Sequence, residues 1–377
     1  MRILHAVTLH SPTHAFGGPV RVALNLSQGL RARGHEARLL ALGDGFDGPL
    51  PTEVEGVPAR LHRARRLLPL GFSGITSPGL LAGAGRTVRD YDIVHVHLAR
   101  DLVTLPVALA ALRAGKPLVL QTHGMVDPSD RLLAKVLDAL AVRRVLRGAS
   151  GVLYLTEHER KGLEAVAPAS PGHPLRLVRL VNGVPAQEPP ATPVGAPRIL
   201  YAARLQARKR PQDFVAAVPE ILRHRPDAEF VVAGPDEGEL APVQALIGRL
   251  GLGERVHCPG SLSAGEMLAE LRHAHVYVLP SVDEPFPMSV LEALAAGTPA
   301  VVTRSNGLAR DIAEAGAGRV VDGAAGLAGA VLELLDPAAG AEASAAARKL
   351  AAEAFSMDAV LDTLLGVYER CYAGTQA

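Results

Sequence analysis

A chain of 377 residues is long enough for two domains of the usual roughly 100 to 200 residues, each with its own core. With 48% hydrophobic and 20% charged residues it is neither disordered nor fibrous, and 39 cations against 38 carboxylates set up no global field that would draw it to nucleic acid. Two cysteines, Cys258 and Cys371, stand far from any Cys/His cluster, which argues against a disulfide framework and a zinc site and fits a reducing compartment.

Residues 1–7 pass directly into an apolar, strand-like run without the longer apolar stretch of a signal peptide, so the protein is expected to be cytoplasmic. No run of about 18 apolar residues occurs, and any membrane contact is expected to be peripheral. Short apolar or β-branched runs at 3–7, 37–42, 57–61, 93–96, 118–121, 152–155 and 177–181 alternate with helical patterns such as 19–33 and 101–113. Such alternation predicts βαβ units and parallel sheets. Five prolines between 185 and 197 (Pro185, Pro189, Pro190, Pro193, Pro197) permit neither helix nor ladder and mark a linker. A second series follows at 199–203, 230–233, 255–257, 276–279, 300–303 and 319–321, with a capping-box pattern from Ser263 to Glu266 and a last amphipathic helix near 358–372. The sequence therefore predicts an α/β protein of two Rossmann-like, doubly wound domains, 1–184 and 198–357, joined by the linker 185–197, with a last helix in 358–377. Ligands are expected in a cleft between them, beyond the carboxyl ends of the strands.

Gly17-Gly18-Pro19 follows the first strand and opens a helix, where a phosphate could approach the backbone; a tight turn explains the glycines equally well. Arg204 and Lys209 lie five residues apart on a strand-to-helix loop and could grip a diphosphate together, whereas Arg208 and Arg210 beside them suggest a solvated basic loop. The stretch from Leu279 to Pro299 runs from a strand through a Pro-rich turn into a helix starting near Met288, with Glu284 at the strand end and Glu292 about one turn inside the helix. Two carboxylates so placed can each accept paired hydrogen bonds from vicinal hydroxyls, with a helix N-terminus between them for phosphate. His123 ends an apolar strand at Gly124; taken alone it reads as a structural hydrogen-bonder. His95 and His97 alternate on the preceding strand and read as core or cleft lining. The basic stretches 60–68 and 131–147 suit either an anionic membrane or lipid-diphosphate acceptor, or simple solvation.

The spacing of Glu284 and Glu292, framed by Glu-Pro-Phe and by Leu-Glu-Ala-Leu-Ala-Ala-Gly-Thr-Pro, resembles the E-x7-E motif of retaining glycosyltransferases of the GT-B fold, family 4. Further features of that family recur along the chain: the Gly17-Gly18 loop, Gln121-Thr122-His123-Gly124-Met125, Asn182-Gly183-Val184, Arg204 with Lys209, and Ala233-Gly234-Pro235. The resemblance implies that Glu284 binds the donor sugar's hydroxyls, Glu292 the nucleotide ribose, and Arg204 with Lys209 the diphosphate. It places His123 near the transferred sugar, and gives Gly17, Gly18, Phe286, Met288, Ser289 and Val290 contacts to the donor. It also implies a first domain for the acceptor, with the helix 358–377 packing back on it, and a second for the donor.

The implied reaction moves a hexosyl group from a UDP- or GDP-sugar to a glycan or a polyprenyl-diphosphate-linked sugar in cell-surface polysaccharide assembly, without metal. The one Asp-x-Asp run, Asp90-Tyr91-Asp92, sits at a strand entrance. Departures from the family pattern bear on the donor: Pro287 replaces a usual glycine and has no N–H to give, Leu308-Ala309-Arg310-Asp311 follows Gly307 where Pro-Glu is common, and Val181 precedes Asn182 where Pro is usual. A sugar-nucleotide epimerase and a non-catalytic sugar-nucleotide-binding subunit are the rival readings.

Overall fold

The computed structural model describes residues 1–12, 17–67, 74–168, 174–185, 187 and 195–376. The chain forms two compact units, one from Met1–Gly183 with Met357–Ala377 and one from Val184–Ser356. Of the proline-rich stretch, residues 186 and 188–194 lie outside the described residues, as does Leu68 of the first basic stretch.

The first unit is built on an eight-stranded sheet. Its order is Leu177–Arg179, Gly151–Tyr154, Leu118–Gln121, Ile93–His97, Arg2–His10, Glu36–Gly43, Val57–Arg63 and Glu53–Val54. The last pairing is antiparallel and the others are parallel. Helices cover both faces, so the central strands read as unbroken apolar runs: Ile3, Leu4, Ala6, Val7 and Leu9 are all buried. Strand order reverses between Arg2–His10 and Ile93–His97, whose carboxyl ends form the crevice where such sheets take ligands. The helix Met357–Gln376 returns to this unit. Its Tyr368 is fully buried, Leu361 packs against Gly29, and Asp358 and Asp362 both pair with Arg33.

The second unit carries six parallel strands in the order Val256–Gly260, Glu229–Ala233, Arg198–Ala202, Val276–Leu279, Ala300–Thr303 and Gly318–Val321. Here the order reverses between Arg198–Ala202 and Val276–Leu279. Ser263 accepts from the Glu266 amide while the Glu266 carboxylate accepts from the Ser263 amide, so the capping box opens Ala264–His273.

Both doubly wound domains thus form, with local differences from the sequence pattern. The helix expected from 101 starts at Thr104, with Val103 at its N-cap; ahead of it the buried Asp101 carboxylate accepts from the amides of Val103 and Thr104 and holds the chain in a turn. The strand expected at 255–257 runs on to Gly260. Three two-residue strands, Glu53–Val54, Arg65–Arg66 and Ile75–Thr76, are too short to show a period in sequence.

Candidate functional site

In the second unit, the strand Arg198–Ala202 feeds a short 3₁₀ turn, Ala207–Lys209, that ends on Arg210 in the left-handed conformation (φ 54°) before Pro211 starts the next helix. The turn sends its cations in different directions. Lys209 points inward and its Nζ donates to Glu284 Oε2 at 2.5 Å; both residues are buried. Burial lowers the Lys209 pKa and the Glu284 carboxylate opposes that shift. Arg208 reaches the same oxygen at 3.6 Å and donates to the Asp283 carbonyl at 3.1 Å. Arg204 lies at the surface, paired with Glu237 at 3.0 Å.

Glu284 sits at the carboxyl end of Val276–Leu279 on a turn held from several sides. Asp283 is left-handed (φ 49°) and its amide donates to Ser305 Oγ, while the Val282 amide donates to the Arg208 carbonyl. The Gly307 amide donates to the Glu284 carbonyl at 2.7 Å, and a Cβ on Gly307 would lie 1.8 Å from the Pro285 carbonyl oxygen, so only glycine permits this approach. The helix Met288–Ala295 follows, with Pro287 at its N-cap and no side-chain cap. The amides of Met288 and Ser289 have no acceptor among the described residues. Ser289 Oγ bonds the Tyr277 hydroxyl at 2.8 Å, and burial raises the pKa of that phenol. Glu292, half-buried, lies one turn along on the same face as Met288.

In the first unit, His123 (φ 51°) and Gly124 (φ 69°) turn the chain sharply off the strand Leu118–Gln121. Glu159 fixes that turn: its carboxylate accepts from Thr122 Oγ1 at 2.5 Å, the Gly124 amide at 2.8 Å and the Leu155 amide at 2.6 Å. Behind His123 stands a stack of imidazoles. His97 Nδ1 lies 2.8 Å from His123 Nε2, His97 Nε2 lies 3.2 Å from His5 Nδ1, and His95 Nδ1 meets the Tyr368 hydroxyl at 2.7 Å. Burial pushes the pKa of His5 and of His123 down to about 3 and that of His95 and His97 well below the ordinary value, so the rings are neutral at pH 7. The ligand atoms of His5, His95 and His97 all lie within 4.8 Å of one another, and both nitrogens of His97 are taken up by His123 and His5 within the stack. Asp92 accepts from the Arg2 amide and guanidinium, which engages the Asp90-Tyr91-Asp92 run at its strand entrance.

Two family models match this chain: "Glycosyl transferase 4-like domain" over residues 17–180 and "Glycosyl transferases group 1" over residues 186–350. The chain belongs to the group 1 glycosyltransferases. It is similar to the D-inositol 3-phosphate glycosyltransferase of Streptomyces scabiei, at 29% identity over 86% of this chain and 79% of that protein, and to that of Acidothermus cellulolyticus, at 29% over 82% and 75%. Among solved structures it matches Anabaena HepE in complex with UDP and glucose (TM-score 0.77, 19% identity, 98% of this chain and 99% of that one). It also matches sucrose-phosphate synthase from Thermosynechococcus elongatus (TM-score 0.73, 18% identity, 99% and 100%). At these identities the structures establish the shared GT-B fold.

Within this glycosyltransferase the structure brings Lys209 and Glu284 into contact and leaves Arg204 turned to Glu237. Phe286 packs edge-on against Phe355, with ring centroids 5.9 Å apart, and Met288 and Val290 are buried, so these three side chains belong to the packing of the turn. Gly17 and Gly18 open the helix Gly17–Ala32, and a Cβ on Gly18 would meet nothing within 4 Å. His123 belongs to the other unit from Glu284. Three residues escaped sequence reasoning. Arg208 looked like part of a solvated loop; Gly307 carried no signal of its close approach; Glu159 was visible only as the fourth residue of a Thr156-x-x-Glu159 cap, whose Thr156 accepts from its amide. Among the described residues no single helix is long and apolar enough to cross a membrane.

Proposed function

We propose that this glycosyltransferase moves a hexosyl group, with retention at the anomeric carbon, from a UDP- or GDP-sugar bound by the second unit to an acceptor hydroxyl presented by the first. The observation that carries the proposal is the buried Lys209–Glu284 contact at the carboxyl end of the central strands, beside a helix whose first amides have no acceptor among the described residues. A donor diphosphate would take Lys209 as its counter-ion, with Arg204 released from Glu237 and the Met288 and Ser289 amides as further donors. Glu284 would hold the sugar hydroxyls and Glu292 the ribose. The open space at Gly18 suits close approach of the donor to the backbone. As the anomeric C–O bond breaks, its electron pair leaves with the nucleoside diphosphate, whose charge the fixed cations and amides stabilise. The acceptor oxygen bonds from the same face and its proton passes to the departing phosphate oxygen. His123, neutral at pH 7, serves as a hydrogen-bonding ring near the sugar. Family membership favours transfer over the epimerase and binding-subunit alternatives.

For the acceptor, a glycan or polyprenyl-diphosphate-linked sugar of surface polysaccharide assembly at the cytoplasmic face is the first reading. Similarity to D-inositol 3-phosphate glycosyltransferases favours a second, an inositol phosphate. The test is product NMR after incubation of α-linked UDP- and GDP-hexoses with each acceptor. An α-glycoside is expected, and Lys209→Ala should slow its formation by roughly 10² to 10³, the loss seen when one stabilising donor is removed. A β-linked product, or unchanged turnover in that variant, would overturn the proposal.

A further inference from the structure

The helical segment running through Leu132–Leu137, Asp138–Val142 and Arg143–Gly148 packs one side into the first unit's core through Val142, Val145 and Leu146. Its other side is unusual for a soluble protein. Leu132 is 78% exposed and Leu140 73%, with Leu133 and Val136 also exposed between them. At 132, 136 and 140 these residues follow a four-residue spacing, and the π-type turn over Asp138–Val142 widens the helix there and keeps the stripe on one side. Arg131, Lys135, Arg143 and Arg144 are exposed around it, Arg143 also donating through Nε to the Val166 carbonyl at 2.9 Å. The sole carboxylate from 131 to 147, Asp138, is buried and bound to Arg100 at 2.7 Å, and Asp130 just outside holds Lys135 at 3.1 Å. The exposed face is therefore apolar and cationic, with no acid of its own.

We propose that this face docks on an anionic lipid bilayer. Apolar side chains ringed by cations on one helical side are what an interfacial helix buries at the headgroup boundary. Charge excludes the simplest alternative, since a two-fold contact with a second copy would set four cations against four, and four side chains fall far short of the roughly 800 Å² per partner of a stable protein interface. In the other basic stretch Arg60 donates to Thr87 Oγ1 and Arg63 to the carbonyls of Phe46 and Gly48, while Arg65, Arg66 and Leu67 are exposed but present, among the described residues, a single large apolar side chain and no helical stripe. Docking stands on the exposed face alone. Its consequence, that the acceptor is bilayer-borne and not a soluble cyclitol phosphate, rests on the function proposed above.

Co-sedimentation of the full chain with phosphatidylglycerol/phosphatidylcholine vesicles and with phosphatidylcholine alone tests the docking without any turnover, so its outcome is separate from that of the transferase proposal. Binding to the anionic vesicles should weaken steeply with salt, at about five-fold per cation engaged. Leu132→Gln/Leu140→Gln and, separately, Lys135→Glu/Arg144→Glu should each lower it at least ten-fold with unchanged melting temperature. Both pairs are exposed, so folding is not at stake. Equal binding by the variants, no binding by the wild type, or a wild-type dimer in ultracentrifugation that Leu132→Gln/Leu140→Gln dissolves would each overturn the proposal.

Discussion

Replacing Lys209 by Met separates what the buried ion pair does for the fold from what it does for the reaction. Nζ of Lys209 is 2.5 Å from Glu284 Oε2 and both side chains are about one-tenth exposed. Removing the ammonium leaves a desolvated carboxylate, a change that costs about 3 to 5 kcal/mol in buried pairs. Arg208, 3.6 Å away, compensates in part, so the lower figure applies. For a domain of this size, 3 kcal/mol lowers the melting temperature by roughly 6 to 12 °C. The double variant Lys209→Met/Glu284→Gln removes both charges and should recover to within about 1 kcal/mol of wild type, because a buried pair and a neutral isostere are near parity. Turnover should not recover, since neither the diphosphate nor the sugar regains its partner. Calorimetric melting and product formation on the wild type, the single and the double variant decide the matter. A single variant as stable as wild type would show that the pair is not desolvated, and a double variant with restored turnover would refute its part in transfer.

Three further outcomes follow from the geometry. His5, His95 and His97 are held neutral by burial, His5 with a pKa of about 3, while the unfolded chain takes up their protons below about 6.5; the fold therefore loses stability as pH falls. Between pH 7.0 and 5.5 each ring should remove on the order of 1 kcal/mol, read by urea unfolding; a flat profile over that interval would contradict their neutrality. Gly307→Ala should destabilise by about 2 kcal/mol because its Cβ meets the Pro285 carbonyl. Gly18→Ala, with open space around it, should leave the melting temperature unchanged yet raise the donor KM; a normal KM would free Gly18 from donor contact.

The alternation of apolar runs and helical patterns made both sheets legible, because strands buried on two faces must be apolar throughout. The Glu284 and Lys209 positions were legible as residue types at strand ends, but their contact spans 75 residues and no local pattern encodes it. Arg208 was misjudged for the same reason: its neighbours in sequence look solvated, and only the 3₁₀ turn and the left-handed Arg210 aim it at Glu284. The imidazole stack needed the register that sets His5 against His95, which no single strand reveals. Glu159 resembled an ordinary helix cap, and its bonds to Thr122 and Gly124 come from another strand's end.

The most direct test of the central claim is the melting temperature of the purified protein with UDP, GDP, ADP and their hexose conjugates, alongside Glu292→Ala. A ligand at 100 times its dissociation constant adds about 2.7 kcal/mol, which for domains of this size is roughly 5 to 10 °C. The account predicts such a shift with a uridine or guanosine diphosphate sugar in the wild type and its loss in the variant. No shift with any nucleotide, or one that Glu292→Ala leaves intact, would contradict the assignment of the second unit as the donor site.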